Sequence, residues 1–334
     1  MTKPGKEKSA PAEPFHVGIV FTPGFSLMAY SSTVEPLRMA NHIGAASLYR
    51  WSHFSPAGGS VVSGGGLEVM TEPLPKLDRH RLDMVVVCGG MTSHLYRNPV
   101  LDRFLRDALH RRVLIGSAST ATFILAAAGI LRGRRCTIHW DYLDAFREAY
   151  PEIETSGELF TIDHGVFTCA GGISAMDVML RFIGERYGRE FAAKVAEQFI
   201  YGGGRDPSDR QRIGVRTRLG VAQPVLIRAL EMMENAVETP LRTAEVAGRV
   251  GVSMRHLERL FSEYVGCTPS QQYLRIRLDR ARKLLRSTSL SVMEVALACG
   301  FASASHFARA YKAHHGLSPR DDRASDYEPA QIQD

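Results

Sequence analysis

Two stretches of this chain carry residue types at spacings that do chemistry. Near the middle, Val113-Leu-Ile-Gly-Ser-Ala-Ser119-Thr reads as an apolar strand running into a sharp turn and then a helix, the arrangement that exposes a nucleophile at a helix N-terminus. His139 follows twenty residues later, and Glu35 lies on the helix expected after the first strand. A serine hydroxyl needs a well-placed base before it attacks anything, and His139 is the candidate base. No third group that would orient the histidine can be named, so hydrolysis is the lesser reading of these residues. Towards the other end, arginines recur in register, in Leu257-x-Arg259-x-Phe261 and again in Phe307-x-Arg309-x-Tyr311. The planar guanidinium fork matches phosphate oxygens and the major-groove edge of guanine.

The elements that must position those arginines form an internal repeat with an offset of 50 from Leu257 onward. Each copy has a short helix (residues 243 to 249 and 292 to 298), a turn containing Gly251 or Gly300, and a second helix that ends near Gly266 or Gly316. That order predicts a helix-turn-helix. The second copy opens with Ser291-x-x-Glu294, the pattern of a capping box. Between the copies, residues 270 to 286 put Leu274, Leu278, Ala281 and Leu285 on one face, with Arg275, Arg282 and Arg286 among the cations. Such a helix spans about 25 Å at its ordinary rise, so with its end turns it can hold two reading helices about one duplex turn apart. Ahead of the repeat, Pro224 opens a helix with the stripe Leu226, Leu230, Met233, Val237, closed by Pro240.

The front of the chain reads differently. Val17 to Phe21, Met84 to Cys88 and Val113 to Ile115 are apolar runs, the first two ending in Thr-Pro-Gly and in Gly89-Gly90 and the third running into Gly116-Ser-Ala-Ser119, and helical patterns follow at 32 to 42, 99 to 110 and 120 to 128. Alternation of this kind predicts an α/β domain around a largely parallel sheet. Residues 158 to 163 and 166 to 169 flank His164-Gly165 as a hairpin, and 173 to 187 make a further helix. The boundaries expected are 15 to 200 for this domain, 201 to 222 for a Gly- and Arg-rich linker, and 223 to 323 for an all-α domain.

At 334 residues with 45% hydrophobic and 23% charged, the composition excludes wholesale disorder, collagen-like repeats and coiled-coil fibres. The charge is uneven: residues 209 to 323 hold 19 Lys and Arg, 17 of them Arg, against 11 Asp and Glu. Such an excess favours nucleic acid as a partner. The uncharged run from Gly116 to Leu131 is short of a membrane span, and the first fourteen residues have no apolar core of a secretion signal, so the chain is expected in the cytoplasm, away from membranes. Five cysteines (Cys88, Cys136, Cys169, Cys267, Cys299) stand far apart, which predicts reduced thiols and no metal site or cofactor.

The stretch LDRARKLLRSTSLSVMEVALACGFASASHFARAYKAHHGLSPRD resembles the signature of the AraC/XylS transcriptional regulators, and the likeness reaches back to about Gln223. The resemblance implies that both second helices enter major grooves, with Arg255, Glu258 and Arg259 facing bases in the first and Ala304, Ser305, His306 and Arg309 in the second. It also implies promoter DNA and RNA polymerase as partners. The front domain, with VVVCGG and AAAGILRGRRCTIHW around the serine turn, resembles the class I glutamine amidotransferase-like fold in its PfpI-type branch, a doubly wound, flavodoxin-like parallel sheet. The fusion is similar to the GlxA-like regulators. Enzymes of this fold carry cysteine where this chain has Ser119 and glycine where it has Ala121, while Glu35 and His139 match the supporting acid and base. The resemblance therefore implies a degenerate catalytic pocket that has become a ligand site, lined by Glu35, Ser119, His139, Trp140, Gly89 and Gly90. FSLMAYSSTVEPLRMAN and RCTIHW look most like regulators responding to carnitine, glycine betaine or arginine, so the expected ligand is a small amine-containing metabolite, with Trp140, Phe25 and Tyr30 as aromatic faces for its cation. A homodimer, and activation of amine or amino-acid catabolism genes, are expected. Two other readings stand beside this one: a Ser/His amidase or peptidase that also binds DNA, and a nucleoid-type architectural protein.

Overall fold

In the computed structural model, residues 13–202, 204–209, 211 and 223–325 are described. Most of the expected linker, including residues 212–222, and the N-terminal tail up to residue 12 lie outside them. The chain divides into two compact units, Met1–Leu143 with Tyr150–Gln211, and Asp144–Ala149 with Arg212–Asp334.

The first unit is built on an eight-stranded sheet. Its strands are β1 (Phe15–Phe21), β2 (Tyr49–Ser55), β3 (Gly59–Val62), β4 (Glu68–Pro73), β5 (Met84–Cys88), β6 (Leu114–Ala118), β9 (Phe160–Asp163) and β10 (Val166–Cys169), in the order β3-β4-β2-β1-β5-β6-β10-β9. β7 (Cys136–Thr137) and β8 (Thr155–Ser156) form a small parallel pair. The inner pairs are parallel, and only β9 with β10 and β3 with β4 run antiparallel among the described strands. This is the expected largely parallel sheet with flanking helices. The central strands are its most apolar: β5, MVVVC, is buried along its whole length, as a strand covered on both faces must be.

The helices of the first unit are α1 (Leu27–Gly44), α2 (Pro99–His110), α3 (Thr122–Ala127), α5 (Ser174–Tyr187) and α6 (Arg189–Glu197), while α4 (Leu143–Ala149) belongs, from Asp144 on, to the second unit. α1 begins five residues before the position read from sequence, because the Ser26 hydroxyl accepts the Ala29 amide and caps it, and it continues through Pro36. The helix expected over 120 to 128 is shorter than its pattern: a 3₁₀ turn, Ser119–Ala121, precedes six residues of α3. Six residues align few peptide dipoles, so the charge offered at that terminus is smaller than a full helix would give.

The second unit is helical throughout its described residues: α7 (Pro224–Asn235), α8 (Thr243–Arg249), α9 (Met254–Tyr264), α10 (Pro269–Ser287), α11 (Val292–Ala298), α12 (Ala304–His315) and α13 (Pro319–Ser325). It has two cores. Leu226, Leu230, Met233, Val246, Leu257, Phe261 and Tyr273 make one, and Leu278, Ala281, Leu284, Leu285, Val295, Phe301, Phe307 and Tyr311 the other. α10 belongs to both, giving Tyr273 to the first and its leucines to the second. Nineteen residues make it about 28 Å long. Both bonds of the Ser291/Glu294 capping box are present, and Thr268 and Gln271 form another at the start of α10.

Candidate functional site

The two repeated helices expose the faces that the repeat singles out. In α9 the apolar positions Leu257, Leu260 and Phe261 are buried, leaving Arg255, Glu258 and Arg259 in solvent. In α12 Phe307 and Tyr311 are buried, while Ser305, His306 and Arg309 are exposed and Ala304 is half-buried. Both helices start alike: Ser253 accepts from the His256 amide, and Ser303, 50 residues on, from the His306 amide. A serine at the same register in each copy was the available signal for these caps. The His306 ring rests 5.7 Å from Phe301, so its base is fixed while its edge stays outside.

Arginines on α10 do structural work. Arg277 donates through Nε to the Cys299 carbonyl at 2.8 Å and through Nη2 to the Gly300 carbonyl at 2.7 Å, and its guanidinium lies 4.1 Å from the Phe301 ring centre. The second turn is thereby clamped to the connecting helix. Arg282 and Arg286 both pair with the fully buried carboxylate of Asp322, at 2.9 and 2.6 Å, so these two cations are occupied within the fold. Tyr311 donates its hydroxyl to the same carboxylate at 2.6 Å.

In the first unit, Ser119 sits at the strand-to-helix turn with φ of 64°, a left-handed conformation that a non-glycine residue holds only when its surroundings impose it. Gly171 is what lets it sit there, since a Cβ at 171 would lie 2.4 Å from the Ser119 Cβ. The Gly89-Gly90 turn serves close approach: a Cβ on Gly90 would fall 1.9 Å from the Gly24 carbonyl oxygen. Its carbonyls are acceptors, Gly89 O taking the Ser26 amide and Gly90 O the hydroxyls of Ser93 and Thr120, at 2.8 and 2.5 Å for the hydroxyls. Segments 89 to 94, 119 to 123 and 139 to 142 thus converge, and Tyr142 joins them by donating to the Met91 carbonyl. His94, Phe123 and Tyr142 pack mutually with ring centres 5.9 to 6.3 Å apart. None of the three rings stands in a sequence pattern that marks it.

The aromatic faces expected from Phe25 and Tyr30 are corrected. Phe25 is fully buried, 4.5 Å from Phe21, and the Tyr30 hydroxyl meets His53 Nε2 at 3.1 Å, so both belong to the packing around β1. Trp140 is half-buried, its ring 5.4 Å from that of His139. The Glu35 carboxylate accepts from both Nε and Nη2 of Arg38, at 2.9 and 2.7 Å.

The chemistry left to these residues is slight. His139 Nδ1 accepts the Asp141 amide, which assigns the proton of the neutral ring to Nε2. Cys169, bonded to the Ser119 backbone, is fully buried, and burial pushes its thiol up to about 11; burial likewise raises Cys88. No thiolate forms there near neutral pH.

Comparison with known proteins agrees with this geometry in both units. A helix-turn-helix domain model matches residues 246–325, and the DJ-1/PfpI family model matches residues 16–185. The HTH-type transcriptional regulator CdhR of Pseudomonas aeruginosa is 44% identical over 306 residues, which cover 90% of this chain and 89% of that protein. The HTH-type transcriptional regulator GbdR of the same species is 40% identical over 310 residues, covering 93% and 84%. The chain belongs to the AraC-type transcriptional regulators that carry a DJ-1/PfpI domain. A solved AraC family transcriptional regulator from Pseudomonas putida superposes with a TM-score of 0.51 at 30% identity, over 56% of this chain and all of that one. As a member of this family, the protein is a DNA-binding transcriptional regulator. No helix among the described residues is long and apolar enough to cross a membrane.

Proposed function

We propose that the protein is a cytoplasmic regulator whose front domain, residues 15 to 200, binds a small metabolite pairing an amine with a carboxylate, and whose residues 223 to 323 read promoter DNA, with 201 to 222 linking the two. In this reading Arg255, Glu258 and Arg259 face bases from α9, and Ala304, Ser305, His306 and Arg309 from α12. The observation that carries it is the matched pair of serine-capped helices, each with buried apolar positions and an exposed arginine at the same register. Short Ala304 and Ser305 favour apolar and phosphate contact at the second head over bidentate readout.

In this reading Gly89, Gly90, Ser119, His139 and Trp140 line the ligand site, with Glu35 as counter-charge from α1. Serine in place of a thiolate, on a turn whose neighbouring Cys169 and Cys88 thiols are buried and raised, supports a degenerate nucleophile position that has kept its pocket. The regulator acts as a homodimer that contacts RNA polymerase and activates amine or amino-acid catabolism genes. Ligand bound preferentially to one of two arrangements of the dimer supplies the free energy that changes which half-sites are held.

A thermal-shift screen of amines, betaines and amino acids on the full-length protein tests this, because a ligand at 100 times its Kd stabilises the native state by about 2.7 kcal/mol. A hit is then added to a gel-shift titration of promoter DNA, where it must alter affinity or footprint. A compound that stabilises the protein while leaving every DNA complex unchanged overturns the sensing role. Hydrolysis of amide or ester substrates that disappears in Ser119→Ala restores the amidase reading.

A further inference from the structure

The fold brings a carboxylate to two adjacent histidines that lie far from it in the sequence. Asp279 lies midway along α10, and His314 and His315 end α12, 35 residues further on. His314 Nε2 stands 3.2 Å and His315 Nε2 4.0 Å from Asp279 Oδ1, and the three donor atoms lie within 4.8 Å of one another. We propose that Asp279, His314 and His315 form a binding site for a zinc-class divalent cation, which ties the end of the second reading helix to the connecting helix.

The donor set selects the ion. Two imidazoles and one carboxylate suit zinc and its first-row neighbours and not magnesium or calcium, which prefer all-oxygen shells. Ligand atoms of a tetrahedral zinc stand about 3.4 Å apart, so the Asp279–His314 edge, at 3.2 Å, already has about the right length and the Asp279–His315 edge, at 4.0 Å, must close by about half an ångström. Three protein ligands with one exposed side leave the fourth position to water. Asp279, 60% exposed, provides that open side, while His315, only 7% exposed, fixes the other.

His315 is otherwise hard to explain. Its side chain is 7% exposed and lies beside Tyr311, ring centres 4.5 Å apart, where an apolar ring would pack at less desolvation cost. A metal takes the neutral imidazole through a nitrogen lone pair. Its Nε2 also faces the Leu278 carbonyl at 3.2 Å. On taking the cation the proton moves to Nδ1 and that carbonyl contact is exchanged for the metal bond, with no proton released from this residue. The positive charge of Arg282 does not stand unopposed beside the cation, because its Nε pairs with Asp322 at 2.9 Å.

The test uses untagged full-length protein stripped by chelator dialysis. Zinc affinity is measured by competition with a chromophoric chelator, and coordination by the visible absorption of the Co(II) form. Wild type should bind one zinc per chain. His314→Gln, Asp279→Asn and His315→Phe should each weaken binding at least 30-fold and abolish the four-coordinate Co(II) bands; the phenylalanine keeps the core filled. Cys267→Ser should change neither reading. Equal zinc affinity in wild type and in the His314→Gln/Asp279→Asn double variant overturns the site, as does loss of binding in Cys267→Ser instead.

Discussion

At the scale of single residues, Arg259 and Arg309 make the sharpest expectation, because each is exposed on a helix whose opposite face is locked in a core. Arg259→Ala and Arg309→Ala should each cost about 1–3 kcal/mol of specific DNA binding and, where the arginine meets a phosphate, lower the salt slope by about one unit, read by gel shift at several salt concentrations. An unchanged footprint in both variants would remove the assigned reading heads. Gly90 is a steric prediction: a methyl 1.9 Å from the Gly24 oxygen cannot be absorbed by side-chain movement, since the obstacle is backbone. Gly90→Ala should lower the stability of the front domain by about 1–3 kcal/mol or more, seen as a lower urea midpoint. The arginines were legible in the sequence because a repeat marks register without reference to contacts. Phe123, Tyr142 and Gly171 were not, because what singles them out is proximity across loops, to the Ser119 turn in the case of Gly171, and proximity leaves no periodicity.

At the scale of elements, legibility follows burial. β5 and β1 are covered on both faces and read as apolar runs, whereas β2, β3 and β4 have mixed exposure, and no run betrayed them. α13 escaped for a different reason: PRDDRAS has no apolar stripe and is held by charge. Its Asp322 is fully buried against Arg282, Arg286 and Tyr311, and Arg323 donates to the Leu285 and Leu290 carbonyls. Removing the fully buried carboxylate deletes both ion pairs and the Tyr311 hydrogen bond at once, so Asp322→Ala should destabilise the helical domain by about 3–5 kcal/mol. Tyr311→Phe should cost about 1.5–3 kcal/mol, the value of one hydrogen bond to a charged acceptor. Burial pushes the Asp322 carboxyl up, but the bonds from Tyr311, Arg286 and Arg282 outweigh it and hold the group below the ordinary carboxylate range. A depressed carboxylate stabilises above its unfolded pKa and ceases to as the pH falls through its folded one, so the domain's melting midpoint should drop below about pH 4, and less so in Asp322→Ala.

At the scale of the whole molecule, a regulator must carry a change from the sensing unit into the chain that leads to its reader, and the described part of that chain is anchored. Asp177, on α5, is fully buried, and its carboxylate accepts the Tyr201 hydroxyl, the Arg205 amide and the Arg205 guanidinium, the last at 2.9 Å. Six residues later the Gln211 side-chain amide donates to the Thr137 hydroxyl and the Ile138 and Glu158 carbonyls. Both anchors adjoin the candidate ligand site: Ile138 precedes His139, and α5 starts just after the Gly171 turn that packs on Ser119. A sequence shows a Gly- and Arg-rich linker here, but a carboxylate 28 residues upstream that pins it is visible only once folded. Breaking a buried ion pair by removing one partner costs about 3–5 kcal/mol, and each 1.4 kcal/mol is about tenfold in an opening equilibrium. Asp177→Ala should therefore raise the rate of trypsin cleavage after Arg205 by about two orders of magnitude, because proteolysis under native conditions follows the population of the opened state. Arg205→Met removes the cation but keeps the carboxylate and its bond from Tyr201, and should release the segment further still, read as cleavage after Arg210. DNA affinity measured without ligand on an isolated half-site should be unchanged in both, since neither residue belongs to α9 or α12; cleavage no faster than wild type in both variants would show that Asp177 does not hold the segment.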